Sequence, residues 1–300
     1  EPSRYNLGVT QLKLGNDNAA LTAFRKAIDI NPRYEKAYLE EARLLTKRKD
    51  FNGAINSYES VLVIDNRNIS ATMELGNVYY QSGKLSKAEE KFRQAIFMLK
   101  PCADLTLTKF NLSTVLFDQN KIVEAEKYAR EAYQEKEFVK NEKTQANIVY
   151  NYALILDKIN KVDEAIPFYM EVLKLNPKHV KTKINLGVMY MNLTPPDIDT
   201  ALGLFLQVYN DDKNNFEANN NLGNVYLLKE DYLNAILYYQ NALKVDSKNL
   251  DARSNLSRAY AKNGQYDKAK ESYTELLRLN SKDWDAYIEL AKVCIQLNQN

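Results

Sequence analysis

The side chains that most often carry chemistry are scarce in this chain. It has one histidine, His179, shortly after Pro177, and two cysteines, Cys102 and Cys294, which form no motif with each other. A lone histidine without a second to share a metal reads as a solvent-facing turn residue. Cys294 falls where Tyr79, Tyr190, Tyr226 and Tyr260 stand in the repeats described below, so it reads as a core filler. Cys102 lies in an irregular turn, and a thiol there needs an electropositive site to ionise readily. No glycine-rich phosphate loop, metal-spaced cluster or nucleophile elbow occurs. The sequence therefore predicts no catalysis, no cofactor and no metal. What recurs instead is the carboxamide: Asn111, Asn151, Asn185, Asn221 and Asn255, one in each of five consecutive repeats. A side-chain amide both donates and accepts, so it can match one peptide unit. Each such bond is worth ~0.5–1.5 kcal/mol net, and only a row of them would hold a backbone, with little regard for its sequence.

Those asparagines must be positioned by regular elements, and the chain is regular. Aligned on an alanine that precedes an aromatic by four residues, it shows Ala20, Ala54, Ala88, Ala125, Ala165, Ala201, Ala235 and Ala269, in steps of 34, 34, 37, 40, 36, 34 and 34 residues. Four residues on come Phe24, Tyr58, Phe92, Ala129, Tyr169, Phe205, Tyr239 and Tyr273. Earlier in each unit stands a small residue: Gly8, Ala42, Gly76, Ser113, Ala153, Gly187, Gly223 and Ser257. Apolar positions within each half-unit recur with helical, not strand, spacing, as in Leu75–Gly76–Tyr79 and Leu222–Gly223–Tyr226. Each unit is thus two helices joined by a short turn, often at Gly15, Gly83, Gly264 or Asn160, and some close on proline, Pro32 and Pro177. The small residue faces the alanine so that the two backbones can approach closely.

The fullest units, Leu7–Gly8…Ala20…Phe24…Ala27…Pro32 and Leu222–Gly223…Tyr226…Ala235…Tyr239…Ala242, resemble the tetratricopeptide repeat family, and the resemblance covers essentially the whole chain. It implies an all-α fold, a right-handed α-α superhelical solenoid. The array is expected to be a single one over 1–300, with repeats at about 1–34, 35–68, 69–102, 106–139, 146–179, 180–215, 216–249 and 250–283 and a final helix over 284–300. Near-balanced charge, +2 from 41 basic and 39 acidic residues, removes the usual reason to expect nucleic acid or an anionic membrane. No apolar run reaches a membrane-spanning length, so no membrane insertion is expected, and no signal-peptide pattern opens the chain. The first residue is Glu1 rather than Met, as in a processed or trimmed product, and the compartment stays open.

The family resemblance also assigns a site. First helices of such repeats line a concave face where ligand peptides lie, and the sixth residue of each unit projects into it: Asn6, Glu40, Glu74, Asn111, Asn151, Asn185, Asn221, Asn255 and Glu289. The run of asparagines is similar to the ladder in the superhelix of O-linked N-acetylglucosamine transferase, which grips extended peptide; the alternative is that these amides bond within the scaffold. Apolar residues share the face: Tyr5, Leu39, Met73, Tyr80, Phe110, Phe117, Tyr150, Ile184, Met191 and Leu227. The implied function is a non-enzymatic interaction scaffold holding an extended segment of a protein partner in the groove of repeats four to eight. Self-assembly, or service as the substrate-recruiting arm of a larger enzyme, are the alternatives. The chaperone-type carboxylate clamp is not expected, because Asp285 and Glu289 stand where it needs cations.

Three irregularities stand out. Residues are added around Pro101–Ala103, in Lys140–Gln145 and at Thr194–Asp197. The first two flank the fourth repeat, whose second helix, Glu124 to Glu137, is expected to run longer than the others; a bend at 100–145 is the further expectation. The last helix is expected to pack backwards through Tyr287, Leu290, Ala291 and Cys294, leaving Ile288 and Ile295 for a continuing chain or another molecule, including another copy.

Overall fold

The computed structural model describes residues 1–299. Among them the chain forms α-helices and no strand. Eight antiparallel hairpins follow one another: α1 (Pro2–Lys13) with α2 (Asp17–Ile30), α3 (Glu35–Lys47) with α4 (Phe51–Ile64), α5 (Ile69–Gln81) with α6 (Leu85–Met98), α7 (Ala103–Asp118) with α8 (Ile122–Gln134), α9 (Glu142–Lys158) with α10 (Val162–Leu175), α11 (Val180–Met191) with α12 (Ile198–Asp211), α13 (Phe216–Leu228) with α14 (Tyr232–Val245), and α15 (Leu250–Lys262) with α16 (Tyr266–Leu279). A final helix, α17 (Trp284–Gln299), has no second member. The chain divides into two compact units, Glu1–Asn176 and Pro177–Asn300, and within each the hairpins stack in sequence order.

The hairpin core is what the alanine ladder demands. Ala20, Ala54, Ala88, Ala125, Ala165, Ala201, Ala235 and Ala269 are all fully buried, because a larger side chain there would push the two helices apart. Opposite lies the aromatic, and the glycine of the first helix makes room for it. A Cβ added at Gly187 would lie 2.6 Å from the Phe205 ring, and Gly8, Gly76 and Gly223 meet Phe24, Phe92 and Tyr239 just as closely. The turn inside seven hairpins carries one left-handed residue: Gly15, Lys49, Gly83, Asn120, Asn160, Glu230 and Gly264, with φ between 58° and 78°. The sixth hairpin, where two residues are added, turns instead through a cis Thr194–Pro195 peptide.

The fourth repeat differs from expectation. Its second helix is not lengthened: α8 has 13 residues and passes into a 3-10 turn at Lys136–Phe138. The added residues lengthen the first helices instead, α7 to 16 and α9 to 17 residues. The cause is Val139, which is buried against Ala132 and Ile148 and pulls the chain in, while Gln145 Nε2 donates to its carbonyl at 2.7 Å. Residues 100–145 lie inside the first unit, where α6, α7, α8 and α9 pack in succession.

Several first helices, α5, α9, α11, α13 and α15 among them, are started by side-chain caps. Asn68, Asn215 and Asn249 accept the amide three residues on at 2.8, 2.8 and 3.0 Å. His179 does the same work for α11: its Nδ1 accepts from the Thr182 amide at 3.2 Å, so it is a half-buried helix cap rather than a solvent-facing turn residue. Burial, then the charge of Lys181, holds its pKa below the ordinary imidazole value. Only the neutral ring can accept at Nδ1, so the cap is complete above that ordinary value and is lost as pH falls through the lowered one. His179→Asn, which restores the residue used at the equivalent caps, is expected to remove that acid-side loss of ~1 kcal/mol. Melting temperature followed from about pH 7.5 to 5 in both proteins checks it.

Candidate peptide-binding surface

Within each unit the first helices present their fifth, sixth, ninth and twelfth residues on one face. In the first unit the amino-terminal part is ionic. Arg43 Nη1 donates to Glu40 at 2.8 Å, and Arg43 Nη2 and Nε donate to the Glu74 carboxylate at 2.7 and 3.0 Å. Ser70 Oγ and the buried Tyr58 hydroxyl also donate to Glu74, at 2.9 and 2.5 Å. Burial opposes ionisation of Glu74, but these donors, Arg43 foremost, outweigh it and hold the carboxyl below its ordinary pKa. Further on, Tyr80 donates to Asp118 at 2.8 Å; burial and that carboxylate push the phenol up to about 12. Such groups stay in one charge state at neutral pH, so they fix shape rather than move protons.

The asparagines follow. Asn111 Nδ2 donates to Asn77 Oδ1 of the preceding first helix at 3.0 Å, and Asn151, buried, donates to Ser113 Oγ at 2.6 Å. In the second unit Asn185 is half-buried on α11. Asn224 joins the next two: its Nδ2 donates to Asn221 Oδ1 at 3.3 Å, and its Oδ1 accepts from Asn255 Nδ2 at 3.3 Å and from the Tyr239 hydroxyl at 2.7 Å. The amides of Asn111, Asn151, Asn221 and Asn255 therefore also tie neighbouring side chains together. Asn77, Arg43 and Arg258 were not singled out from sequence; the signal was there, since each stands three residues after the sixth position on the same helix face.

The apolar members are half-buried without exception: Phe117, Tyr150, Met191 and Leu227, and likewise Tyr5, Leu39, Met73, Tyr80, Phe110 and Ile184. Tyr150 packs on Ala146, Val149 and Val172, Met191 with Ile184 on Ala201 and Phe205, and Leu227 on the core of α14–α16. Each keeps part of its surface in solvent. At the end of the second unit the face deepens into an open groove of about 830 Å³ lined by Ser254, Arg258, Lys262, Ile288, Glu289 and Lys292. Among the described residues no helix is long and apolar enough to cross a membrane.

Comparison with known proteins agrees with this geometry. Tetratricopeptide repeat models match residues 2–34, 73–139, 146–179, 226–272 and 254–299, and a TPR repeat model matches 42–83. Human protein O-mannosyl-transferase TMTC3 is 26% identical over 247 residues, 71% of this chain and 26% of that protein. The TPR repeat-containing protein MJ1428 of Methanocaldococcus jannaschii is 24% identical over 153 residues, 51% of this chain and 27% of that protein. The chain thus spans about a quarter of the length of these relatives. Among solved structures, PilF of Pseudomonas aeruginosa aligns with a TM-score of 0.60 at 22% identity, over 72% of this chain and 94% of that one. YrrB, a TPR protein with an unusual peptide-binding site, aligns with a TM-score of 0.52 at 23% identity, over 65% and 95%.

Proposed function

The chain belongs to the tetratricopeptide repeat family, whose members generally mediate protein–protein contacts, and from that premise we propose that it is a non-enzymatic scaffold holding an extended segment of a partner protein on its first-helix faces. The observation that carries this reading is the coincidence, within each unit, of carboxamides and half-buried apolar chains on the first helices: Asn111 and Asn151 with Phe117 and Tyr150 in the first, and Asn185, Asn221 and Asn255 with Met191 and Leu227 in the second. Amides with two lone pairs and two donors hold a neighbour and still have bonding capacity for a peptide backbone. The YrrB structure, with its peptide-binding site, is in keeping with the reading.

The test selects extended peptides from a displayed library and measures the best one by fluorescence anisotropy. Asn185→Ala/Asn221→Ala/Asn255→Ala, verified as folded by circular dichroism, is expected to weaken binding by about tenfold to a thousandfold, at ~0.5–1.5 kcal/mol per amide. Unchanged affinity in the folded variant sinks the ladder and leaves these amides as scaffold. A second reading follows from the human relative: the array as the substrate-recruiting arm of a larger glycosyl-transferring enzyme. A complete gene product with no catalytic domain rejects it.

A further inference from the structure

Among the eight described hairpins, only the seventh has a phenol at both of two repeat positions. Tyr226 stands three residues after the small residue of α13, and Tyr238 three after the ladder alanine of α14. Elsewhere at most one of the two is tyrosine, as in Tyr79 with Lys91, Leu116 with Tyr128 and Tyr260 with Ser272. The Tyr226 and Tyr238 rings stack 4° from parallel with centroids 5.4 Å apart, the offset arrangement that aromatic rings prefer. Burial, then the neighbouring Tyr226 and Tyr209 phenols, raises the Tyr238 pKa, and contact with the Tyr226 hydroxyl adds to it. The two hydroxyls therefore lie at the same end of the stack, with the ring carbons beside them facing each other. Both rings are half-buried, so each keeps an edge in solvent. Tyr209 meets Tyr238 edge-on, at 5.3 Å and 81°, and holds Lys213 Nζ 4.0 Å from its ring centre. A cation there makes an electron harder to remove from Tyr209, so a radical in this cluster settles on the stacked pair. Other tyrosine pairs are tilted or perpendicular: Tyr133 with Tyr152 at 30°, Tyr150 with Tyr169 at 54° and Tyr5 with Tyr34 at 89°. Tyr152 and Tyr169 are moreover buried.

We propose that Tyr226 and Tyr238 are an oxidative cross-linking site, at which a one-electron oxidant of the peroxidase class joins the two rings as a dityrosine. Each phenol gives up one electron and its hydroxyl proton and becomes a phenoxyl radical, whose spin lies partly on the carbons ortho to oxygen. The two electrons and two protons reduce one hydrogen peroxide to two waters. The radicals couple through one ortho carbon of each ring, forming a single C–C bond. Each of those carbons then releases its hydrogen as a proton while the oxygen beside it takes one up, which restores both aromatic rings and both phenols. The product is lighter by two hydrogen atoms, and no group leaves. What the fold supplies is proximity: the rings are already neighbours, so coupling within one chain outruns encounters between chains. Their solvent edges leave room to twist into the biaryl. The bond ties α13, which carries Asn221, Asn224 and Leu227, covalently to α14. The site stands whether or not a peptide binds that helix.

Treatment of the 300-residue chain with a peroxidase and limiting hydrogen peroxide tests it. The monomer fraction is expected to gain dityrosine fluorescence. Its tryptic digest is expected to join peptide 214–229 to peptide 230–244 with the loss of two hydrogens, and fragmentation to map the bond to Tyr226 and Tyr238. Tyr226→Phe and Tyr238→Phe, shown to be folded by circular dichroism, are each expected to lower dityrosine in the monomer at least about tenfold, since phenylalanine forms no phenoxyl radical. Tyr209→Phe, which removes a neighbouring phenol but neither partner, is expected to keep the product. Urea, which separates the rings, is expected to abolish the selectivity. A monomer without dityrosine overturns the proposal. So does a cross-link mapped to other tyrosines, or a phenylalanine variant at either partner that yields as much as the wild type.

Discussion

Phe205→Ala is expected to cost ~3–5 kcal/mol of unfolding free energy, towards the top of what a single core truncation does. Phe205 is fully buried and lies with Ala201 against Leu222 and Val225 in the heart of the second unit. Its other wall is Gly187, which has no side chain to move into the space, so the cavity stays open and the cavity cost adds to the lost transfer energy. The same geometry predicts a reversal of sign. In the wild type Gly187→Ala puts a methyl 2.6 Å from the ring and destabilises; overpacking of this kind costs ~1–3 kcal/mol. With Phe205→Ala already present the clash is gone, and alanine gains up to about 1 kcal/mol over glycine inside a helix. Urea denaturation of the two single variants and the double variant measures the coupling. Additive effects, with Gly187→Ala costly in both backgrounds, contradict the packing account.

That pair also shows why the fold was legible. The positions that repeat are those where size decides: a fully buried alanine between two helices, and a glycine that makes room for a buried ring, cannot drift, so the ladder from Ala20 to Ala269 survives in the sequence. Where the backbone alone sets the requirement, the signal fades. Lys49 and Glu230 hold the same left-handed turn conformation as Gly83, and nothing in lysine or glutamate announces it; only the register of the repeat does. The length of α8 could not be read from its charged residues, because the burial of Val139 ends it from outside the helix. For α17, apolar on two sides, periodicity gave no means of choosing the inner stripe, and the choice fell on Tyr287 and Ala291 rather than Ala286 and Val293.

The candidate site was legible as a row but not as a network. Asn111, Asn151, Asn221 and Asn255 share a position in their repeats, which the sequence displays. Their partners lie on other helices or one turn away: Asn77 is 34 residues from Asn111, and Ser113 is 38 from Asn151. Those contacts depend on how one hairpin is set against the next, which sets each amide's second bond and has no local signature. Ser113 stands where other repeats carry glycine, and its repeat has Ala129 in place of the aromatic, so a hydroxyl is available there to accept from Asn151.

Glu74→Ala is expected to be the most damaging polar substitution, costing ~2–3 kcal/mol. The carboxylate accepts from Arg43, Ser70 and Tyr58, and the Tyr58 ring is buried against the core of its hairpin. Removing the acceptor strands a phenol that cannot reach solvent and a cation held between two first helices, and the cost comes from those unpaired donors more than from the lost attraction. Arg43 keeps partial access to water, which limits its share. Glu74→Gln, which keeps an acceptor oxygen, is expected to lose only about 1 kcal/mol, the charge-assisted part. The sign of the pH effect follows from the lowered pKa of Glu74 in the folded state. Its stabilisation is complete above the ordinary glutamate value of ~4.3 and is lost as pH falls through the lower folded value. Acid titration of the wild type should therefore converge on Glu74→Gln below that value, while the two stay apart at neutral pH. Curves separated by the same amount at both ends would mean that the carboxylate is not ionised in this network, and that Arg43 is held by Glu40 alone.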